Sequence, residues 1–158
     1  MYATRGSRAL TLGNRGFTLL EIVIAMAVAG LVLAVSVPAA ARFYESMQYR
    51  AAVRDVVTIL SSARHGAVQQ GRAVDVEIKP RAKEVSLAGA VTRLPAALGL
   101  TVSSAAELNS EETAVIRFYP EGGSSGGEVS IDMPGRSGVR ISVDWLIGGI
   151  SQEKYAYN

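Results

Sequence analysis

The chain contains no cysteine and a single histidine, His65, among its 158 residues. Without cysteine it can form neither a disulfide-stapled scaffold nor a thiolate metal site. A metal or catalytic role for His65 would need a second histidine or a carboxylate three or four residues away on a helix. At these spacings stand Ser61, Ser62, Val68 and Gln69. We therefore expect His65 to lie on the surface or at its rim.

The sequence also lacks motifs that are typical of catalytic or ligand-binding sites. The acidic residues are spread over predicted loops and strand faces, and no paired-carboxylate motif occurs. Glu107, Glu111 and Glu112 lack the spacing of a calcium loop and indicate a solvated segment. The glycine-rich segment 120–127 precedes a predicted strand and lacks a GK[ST] phosphate-binding sequence, which favours a hairpin loop. We predict that the chain is not an enzyme and expect no cofactor, metal or catalytic site.

The net charge of +2 hides an asymmetry between the start of the chain and the rest. Arg5, Arg8 and Arg15 fall within residues 1–16, which contain no acidic residue. Every one of the 14 Asp and Glu residues lies after this segment, together with all but three of the 16 Lys and Arg residues. The rest of the chain is therefore nearly neutral, and the total charge argues poorly for a nucleic-acid partner.

One long apolar run follows this basic segment, from Phe17 to Ala41, and Glu21 is its only ionisable residue. A helix over this run would be ~37 Å long at ~1.5 Å per residue, enough to cross ~30 Å of hydrocarbon. The arginines flank its N-terminal side, so the positive-inside rule keeps that end in the cytoplasm. The run is too long for a cleaved secretory signal, whose apolar region spans about 7–15 residues.

The sequence GFTLLE at residues 16–21, followed by the apolar run, resembles the processing motif of type IV pilins and type II secretion pseudopilins. The resemblance implies cleavage after Gly16 by an inner-membrane prepilin peptidase, which also methylates the new amino terminus at Phe17. It further implies that Glu21 neutralises the Phe17 amine of a neighbouring subunit during assembly. Because Gly16 has no side chain, the scissile peptide can enter a narrow protease site in extended form.

Two further positions near this run bear on its structure. Thr18 stands three residues before Glu21, a capping-box spacing that predicts a helix start. The ring of Pro38 removes an amide donor and clashes with the preceding turn, so we expect a helix kink or local melting there. Pilin-like proteins often have a proline at this place.

Residues 42–71 continue the helix with a different pattern. Apolar residues recur at spacings of three and four, which predicts an amphipathic helix that stops at Gly71. The predicted apolar stripe comprises Phe43, Met47, Val53, Val57, Leu60, Ala63 and Ala67, broadened by Val56, Ile59 and Val68. The whole helix would run from about Thr18 to Gln70 and would resemble a pilin stalk.

From residue 72 the period changes to two, which predicts strands. The candidate strands are 74–79, 84–87, 98–103, 114–120, 128–132 and 139–145, with 146–151 as a short last strand or an extension. Turn-forming residues separate them at 80–83, 120–127 and 134–138. The expected fold class is α+β, with a long N-terminal stalk helix packed on a mainly antiparallel, sandwich-type β head.

The loop after Phe118 and the VDWL element at 143–146 resemble the head of H-type minor pseudopilins, the GspH/FimT family. The resemblance implies a minor pseudopilin of type II secretion, in a periplasmic filament that helps export folded proteins through the outer membrane. Its partners would be prepilin peptidase, major and minor pseudopilins, the inner-membrane assembly platform and membrane lipid. Its parts would be a cleaved leader (1–16), a transmembrane half-helix (17–41), an amphipathic half-helix (42–71) and a periplasmic head (72–158).

A second reading stays open at this point, a FimT-like minor type IV pilin involved in pilus assembly or DNA uptake. DNA binding needs exposed basic residues on the head. After Trp145 the tail holds only Lys154 beside Glu153, with Arg136 and Arg140 nearby. We therefore favour the pseudopilin and expect no nucleic-acid partner. Trp145 could anchor a partner, but a tryptophan at a strand end more often belongs to the core or its rim, which is our expectation.

Overall fold

The computed structural model describes residues 16–104, 112–133, 135 and 137–156. In this part of the chain one helix is followed by strands. The elements are α1 (Leu19–Gln70), β1 (Val74–Lys79), β2 (Glu84–Leu87), β3 (Ala90–Arg93), β4 (Gly99–Ser104), β5 (Ala114–Phe118), β6 (Gly127–Met133), β7 (Ser137–Val143) and β8 (Ile150–Ala156). The predicted helix is confirmed within one residue at its start. The chain divides into two compact units between Arg42 and Phe43, and α1 contributes to both.

The first unit contains the apolar part of α1. Every described residue up to Arg42 is exposed. An 18-residue window of this helix has a mean hydropathy of 2.5, with none of it buried, so it is long and apolar enough to cross a membrane. The helix continues without interruption through Pro38. A kink at Pro38 stays a prediction.

In the second unit α1 buries one face. Its buried residues recur at spacings of three and four: Tyr49, Ala52, Val53, Val56, Leu60, Ala63 and Ala67. The predicted stripe is therefore right in its period but wrong at its start and at Val68, because Phe43, Met47 and Val68 are exposed. Burial begins only at Tyr49, the first helix residue that joins the core formed with the strands.

The strands form two antiparallel sheets, which confirms the predicted β head. The first sheet has the order β3-β2-β1-β5 and the second has the order β4-β6-β7-β8. Alternate residues of β1, β5, β6 and β7 are fully buried with the helix face, among them Val76, Ile78, Ile116, Phe118, Val129, Ile131 and Ile141. The Tyr49 hydroxyl donates a 3.4 Å hydrogen bond to the Ile131 carbonyl and ties α1 to the second sheet. Burial, with the nearby Asp132 charge, raises the pKa of Tyr49.

Two strands depart from the sequence prediction. β3 was not predicted, and it begins after a tight turn in which Ala88 and Gly89 have φ angles of 50° and 87°. Its side chains are mostly exposed, so its sequence has no apolar alternation. The last strand, β8, was expected at 146–151 but begins at Ile150, and five of its seven residues are exposed.

The glycine-rich segment 120–127 connects the two sheets. It follows β5 in the first sheet and precedes β6 in the second, so the expectation of a hairpin loop is wrong. An isolated bridge pairs Phe118 with Ser124 inside the segment. The Ser124 hydroxyl donates to the Asp144 carbonyl over 2.9 Å, which fixes the crossing against the end of β7.

Candidate assembly sites

The start of α1 is an N-capped helix terminus. The Thr18 hydroxyl oxygen accepts a 3.2 Å hydrogen bond from the amide of Glu21, the bond of one half of a capping box. The Thr18 carbonyl accepts the first helical bond, from the amide of Ile22. Gly16 and Phe17 precede the helix and are exposed, and a Cβ placed on Gly16 would meet no atom of the described residues within 4 Å. The peptide bond between these two residues is therefore non-helical and open.

Glu21 lies in the first turn of α1, on an exposed surface. No basic side chain among the described residues forms an ion pair with it. The positive end of the helix dipole favours a carboxylate at this position. Arg5, Arg8 and Arg15 lie outside the described residues. Within the described part of this chain, the Glu21 carboxylate is thus available to a cation from elsewhere.

The apolar side chains on either side of Glu21 in the sequence cover all sides of the helix. The exposed large ones are Leu19, Leu20, Ile22, Val23, Ile24, Met26, Val28, Leu31, Val32, Leu33, Val35 and Val37, and Phe43, Tyr44 and Met47 extend the series into the second unit. An all-round apolar helix is stable only when lipid or other helices cover it. This surface can therefore serve both as an anchor and as a packing surface.

The turn after β7 exposes three adjacent apolar side chains. Trp145, Leu146 and Ile147 are 68%, 65% and 61% exposed. Trp145 is therefore not a core residue, so of the two expected places, the core or its rim, the core is wrong. The Asp144 carboxylate accepts hydrogen bonds from the amides of Leu146 (2.8 Å) and Ile147 (3.0 Å), so the aspartate holds the turn in shape. Sequence reasoning singled out Trp145 but missed its two neighbours, because their apolar character suggested a strand.

A groove of about 480 Å³ adjoins this turn. It is lined by Ser61, Arg64, His65 and Val68 of α1 and by Ile150 of β8. His65 is exposed, as predicted. The described residues contain no group of three His, Cys, Asp or Glu side chains that could hold a metal ion. The groove was not predicted, because Ile150 is far from α1 in sequence.

Most candidate charged sites of the head are engaged in ion pairs. The Arg140 guanidinium lies 2.6 Å from the Glu128 carboxylate and also stacks 5.2 Å from the centre of the Tyr155 ring. Glu112, one of the three glutamates expected in a solvated segment, lies 3.6 Å from Arg81. Glu107, Glu111 and Arg136 lie outside the described residues. The Arg140 charge is thus already paired, whereas Lys154 on β8 is exposed and forms no ion pair among the described residues.

A bidentate ion pair crosses the first sheet. Arg117 on β5 donates from Nε and Nη2 to the two carboxylate oxygens of Asp75 on β1, at 2.6 Å and 2.7 Å. The hydrogen bond from Arg117 lowers the pKa of Asp75, against a smaller opposing effect of burial. The pair fixes the register of these two strands and has no partner groups that suggest catalysis.

Two sequence families match complementary parts of the chain. The prokaryotic N-terminal methylation motif matches residues 11–37, and the type II transport protein GspH matches residues 52–147. The GspH match spans more than half of the chain. No curated protein matches significantly.

Solved structures of two secretion and pilus proteins are similar to this chain. The minor pseudopilin EpsH from the type 2 secretion system of Vibrio cholerae is 12% identical, with a TM-score of 0.53, and the match covers 69% of this chain and 97% of EpsH. The type IV minor pilin FimU of Pseudomonas aeruginosa is 22% identical, with a TM-score of 0.52, and the match covers 70% of this chain and 92% of FimU. At these identities the two likenesses establish the pilin-like fold.

The two family matches agree with the geometry of the two units. The methylation motif implies processing by prepilin peptidase, and it spans the open peptide bond and the capped apolar helix. This helix and the pseudopilin fold fit an inner-membrane anchor with a periplasmic head. GspH proteins are structural subunits. The chain belongs to the family of type II transport protein GspH and is a minor pseudopilin of the type II secretion system.

Proposed function

We propose that the chain is made as a single-pass inner-membrane precursor and matures by cleavage between Gly16 and Phe17. Residues 1–16 would be the cytoplasmic leader, 17–41 the membrane-spanning half of the stalk, 42–71 its amphipathic half and 72–158 the periplasmic head. The observation that carries the proposal is the open, non-helical Gly16–Phe17 bond directly before a capped apolar helix. A protease needs such an extended segment, and an N-cap at Thr18 keeps the helix from extending into it.

Cleavage changes the electrostatics of this segment. It creates a positively charged amine at Phe17, which the same peptidase then methylates. A lone carboxylate costs about 2.5–3.5 kcal/mol at the centre of a membrane helix, and Glu21, in the first turn, would meet this cost only when packed stalks bury it. A neighbouring subunit's Phe17 amine would neutralise this charge as the stalks pack. Because an unpaired buried charge is costly, the pair would favour one register between stalks.

The mature subunit would then leave the bilayer as part of a filament. Its apolar half-helix would exchange lipid contacts for contacts with the stalks of major and minor pseudopilins, at the inner-membrane assembly platform. Van der Waals packing rather than the hydrophobic effect would drive this exchange, because lipid is as apolar as the helix. The head would remain in the periplasm, where the filament helps export folded proteins through the outer membrane.

Maturation is tested by the substitution Gly16→Val. A branched side chain at the cleavage position should block the peptidase, so the protein should keep its leader and migrate as the precursor in cells that contain the peptidase. Gly30→Val is the matched control, because a Cβ at Gly30 also meets no atom of the described residues within 4 Å and Gly30 lies in the helix that follows the cleavage site. A Gly16→Val protein that migrates with the mature wild type would contradict the cleavage site.

Assembly is tested by Glu21→Gln, which keeps the size of the side chain and removes its charge. We expect normal processing and at least about tenfold less co-purification with other pseudopilins, since tenfold corresponds to only about 1.4 kcal/mol. Glu45→Gln is the control, because Glu45 is also an exposed carboxylate of α1 but lies beyond the apolar run. Equal recovery of partners with both variants would count against the role of Glu21.

A further inference from the structure

The head carries an exposed apolar surface that its own fold does not use. We name Trp145, Leu146 and Ile147 the apolar ridge; all three side chains are more than 60% exposed. Single exposed apolar residues are ordinary, but adjacent large ones often mark an interaction site. Tryptophan is also the residue type most enriched among the side chains that dominate binding energy at interfaces.

The backbone of the ridge is held in place by hydrogen bonds on both sides. The Trp145 carbonyl accepts from the amide of Ser124 over 2.9 Å, and the amide of Asp144 donates to the Gly149 carbonyl over 2.8 Å. Gly148 has a φ of 60°, and a Cβ there would lie 2.5 Å from the Gly122 carbonyl oxygen. The turn is therefore fixed against the glycine-rich segment. A surface fixed before binding loses little conformational entropy when a partner docks.

The groove beside the ridge has an unsatisfied positive charge. The Arg64 guanidinium lines it, and a Cβ on Gly148 would lie 3.2 Å from the Arg64 Nε, so the ridge turn and the groove adjoin each other. Arg64 forms no ion pair within the described part of the chain. No carboxylate lines the groove. The Asp144 carboxylate, the acidic group in the turn itself, already accepts two backbone amides.

We propose that the ridge and the groove together dock an acidic, apolar segment of a neighbouring pseudopilin subunit. The apolar ridge would bind its apolar side chains, and Arg64 would pair with its carboxylate. The groove residues Ser61, Arg64, His65 and Val68 share one face of α1, at spacings of three and four. A filament of parallel stalks, as in the proposed function on which this inference rests, lays a neighbouring subunit along such a flank.

The absence of cysteine from the chain permits a direct test by single-cysteine crosslinking. Ile147→Cys would place a photoactivatable maleimide label on the ridge of the full-length protein, in cells that contain all other pseudopilins. Val91→Cys is the matched control, because Val91 is 55% exposed against 61% for Ile147 and lies on the edge strand of the other sheet. We expect a covalent adduct with a different pseudopilin, identified by mass spectrometry, from Ile147→Cys and not from Val91→Cys.

A third label, at Leu33→Cys in the apolar half of α1, separates this inference from the proposed function. Adducts with pseudopilins from Leu33→Cys but not from Ile147→Cys would overturn the inference and leave the proposed function standing. Adducts from neither position would overturn both. Adducts of Ile147→Cys only with lipid, an exported protein or a second copy of this chain would also overturn it.

Charge reversal tests the acidic character of the partner. Arg64→Glu in the Ile147→Cys protein should reduce the yield of the pseudopilin adduct at least about fivefold, because charged pairs at interfaces contribute both attraction and register. Arg72→Glu is the control, since Arg72 is also exposed but lies outside the groove. Equal yields from the two reversals would show that the docked segment does not pair with Arg64, and would overturn the proposed chemistry.

Discussion

The two halves of α1 use the same kind of residue for opposite purposes. Leu33, in the first half, is 61% exposed, whereas Leu60, in the second, is fully buried. Both lie in one continuous helix, so helix formation alone does not distinguish them. The difference lies in what covers each side chain: the sheets cover Leu60, and nothing within the described part of the chain covers Leu33. In the second half of α1 the apolar surface is buried and stabilises the fold. In the first half it stays exposed and is available to lipid or other subunits.

The covered face of the second half includes several small residues. Ala52, Ala63 and Ala67 lie on its covered face, almost without solvent exposure. Small side chains bring the helix axis close to the sheets, so that the larger Val and Ile residues of the strands fill the space. The first half has no such division into faces, because a membrane or a bundle of stalks surrounds a helix on all sides.

The largest expected effect comes from shortening one leucine in each half. Leu60→Ala should lower the free energy of unfolding of the head by about 2–5 kcal/mol, because it removes buried methyl groups and leaves a cavity. Leu33→Ala should change it by less than about 0.5 kcal/mol. Urea unfolding of the full chain in detergent micelles, followed by circular dichroism, measures both. Equal losses would mean that the head also depends on the first half of the helix.

The next prediction compares the hydroxyl groups of Thr18 and Thr58. Thr18→Ala removes the N-cap and should cost about 0.5–2 kcal/mol locally. Amide hydrogen exchange at residues 19–22 should accelerate several-fold. Thr58→Ala is the control in the buried half, where the hydroxyl donates to the Arg54 carbonyl over 2.7 Å in the middle of the helix. Its loss should be nearly neutral, because alanine is the better helix former. Unchanged exchange in Thr18→Ala would exclude the capping role.

A smaller and pH-dependent effect is expected from Asp75→Asn in the head. The pKa of Asp75 is lowered in the folded state by Arg117. Its charge therefore stabilises the fold above the unfolded pKa of about 3.9, and this contribution disappears as the pH falls through the folded value. The pair is partly exposed, so the melting temperature at pH 7 should fall by only about 1–3 °C.

The control for this pair is Glu112→Gln, since its partner Arg81 lies 3.6 Å away and both side chains are largely exposed. Its melting temperature should match the wild type at every pH. A difference between Asp75→Asn and wild type that persists below pH 2 would mean that packing, rather than the charge of Asp75, carries the effect.

The last prediction is a negative result: we expect the head not to bind DNA. The second half of α1 has exposed arginines at positions 42, 50, 54 and 64, which the apolar half lacks, but Glu45 and Asp55 lie among them. The head, residues 43–158, should therefore give no gel shift with duplex DNA at micromolar protein in low or moderate salt. A salt-sensitive shift would favour the DNA-uptake pilin instead.

The sequence predicted those elements in which buried apolar residues recur at a regular spacing. The helix bounds, β1 and β2 and the strands from β4 to β7 followed from periods of three to four and of two, because one side of each element faces the core. The sequence did not predict β3, and it did not predict the bounds of β8, because both are edge strands with few buried residues. Phe43 and Met47 fit the helical period, but no strand reaches them to bury them.

The candidate sites divide in the same way. The processing motif is local, so residues 16–21 could be singled out from their order alone, and their roles remain predictions. The ridge and the groove adjoin each other because Arg64 lies close to Gly148, and these two residues are far apart in sequence. No pattern in one chain predicts such a meeting. The exposure of Trp145 also depends on contacts that the sequence does not show. The Asp144 carboxylate accepts from the amide of Leu146, and the Ser124 hydroxyl donates to the Asp144 carbonyl.

The path of the chain between the sheets has a consequence for how the head folds. The chain builds β1 to β3 in the first sheet, crosses to the second for β4, and returns for β5, which pairs with β1 from Val74 opposite Phe118. It then crosses again for β6 to β8. The first sheet is complete only when β5 is made and the second only when β8 is made, so the long-range pairing that limits the folding rate has to wait for these later strands. Until then the covered face of α1 stays open, and the head should form in one cooperative step.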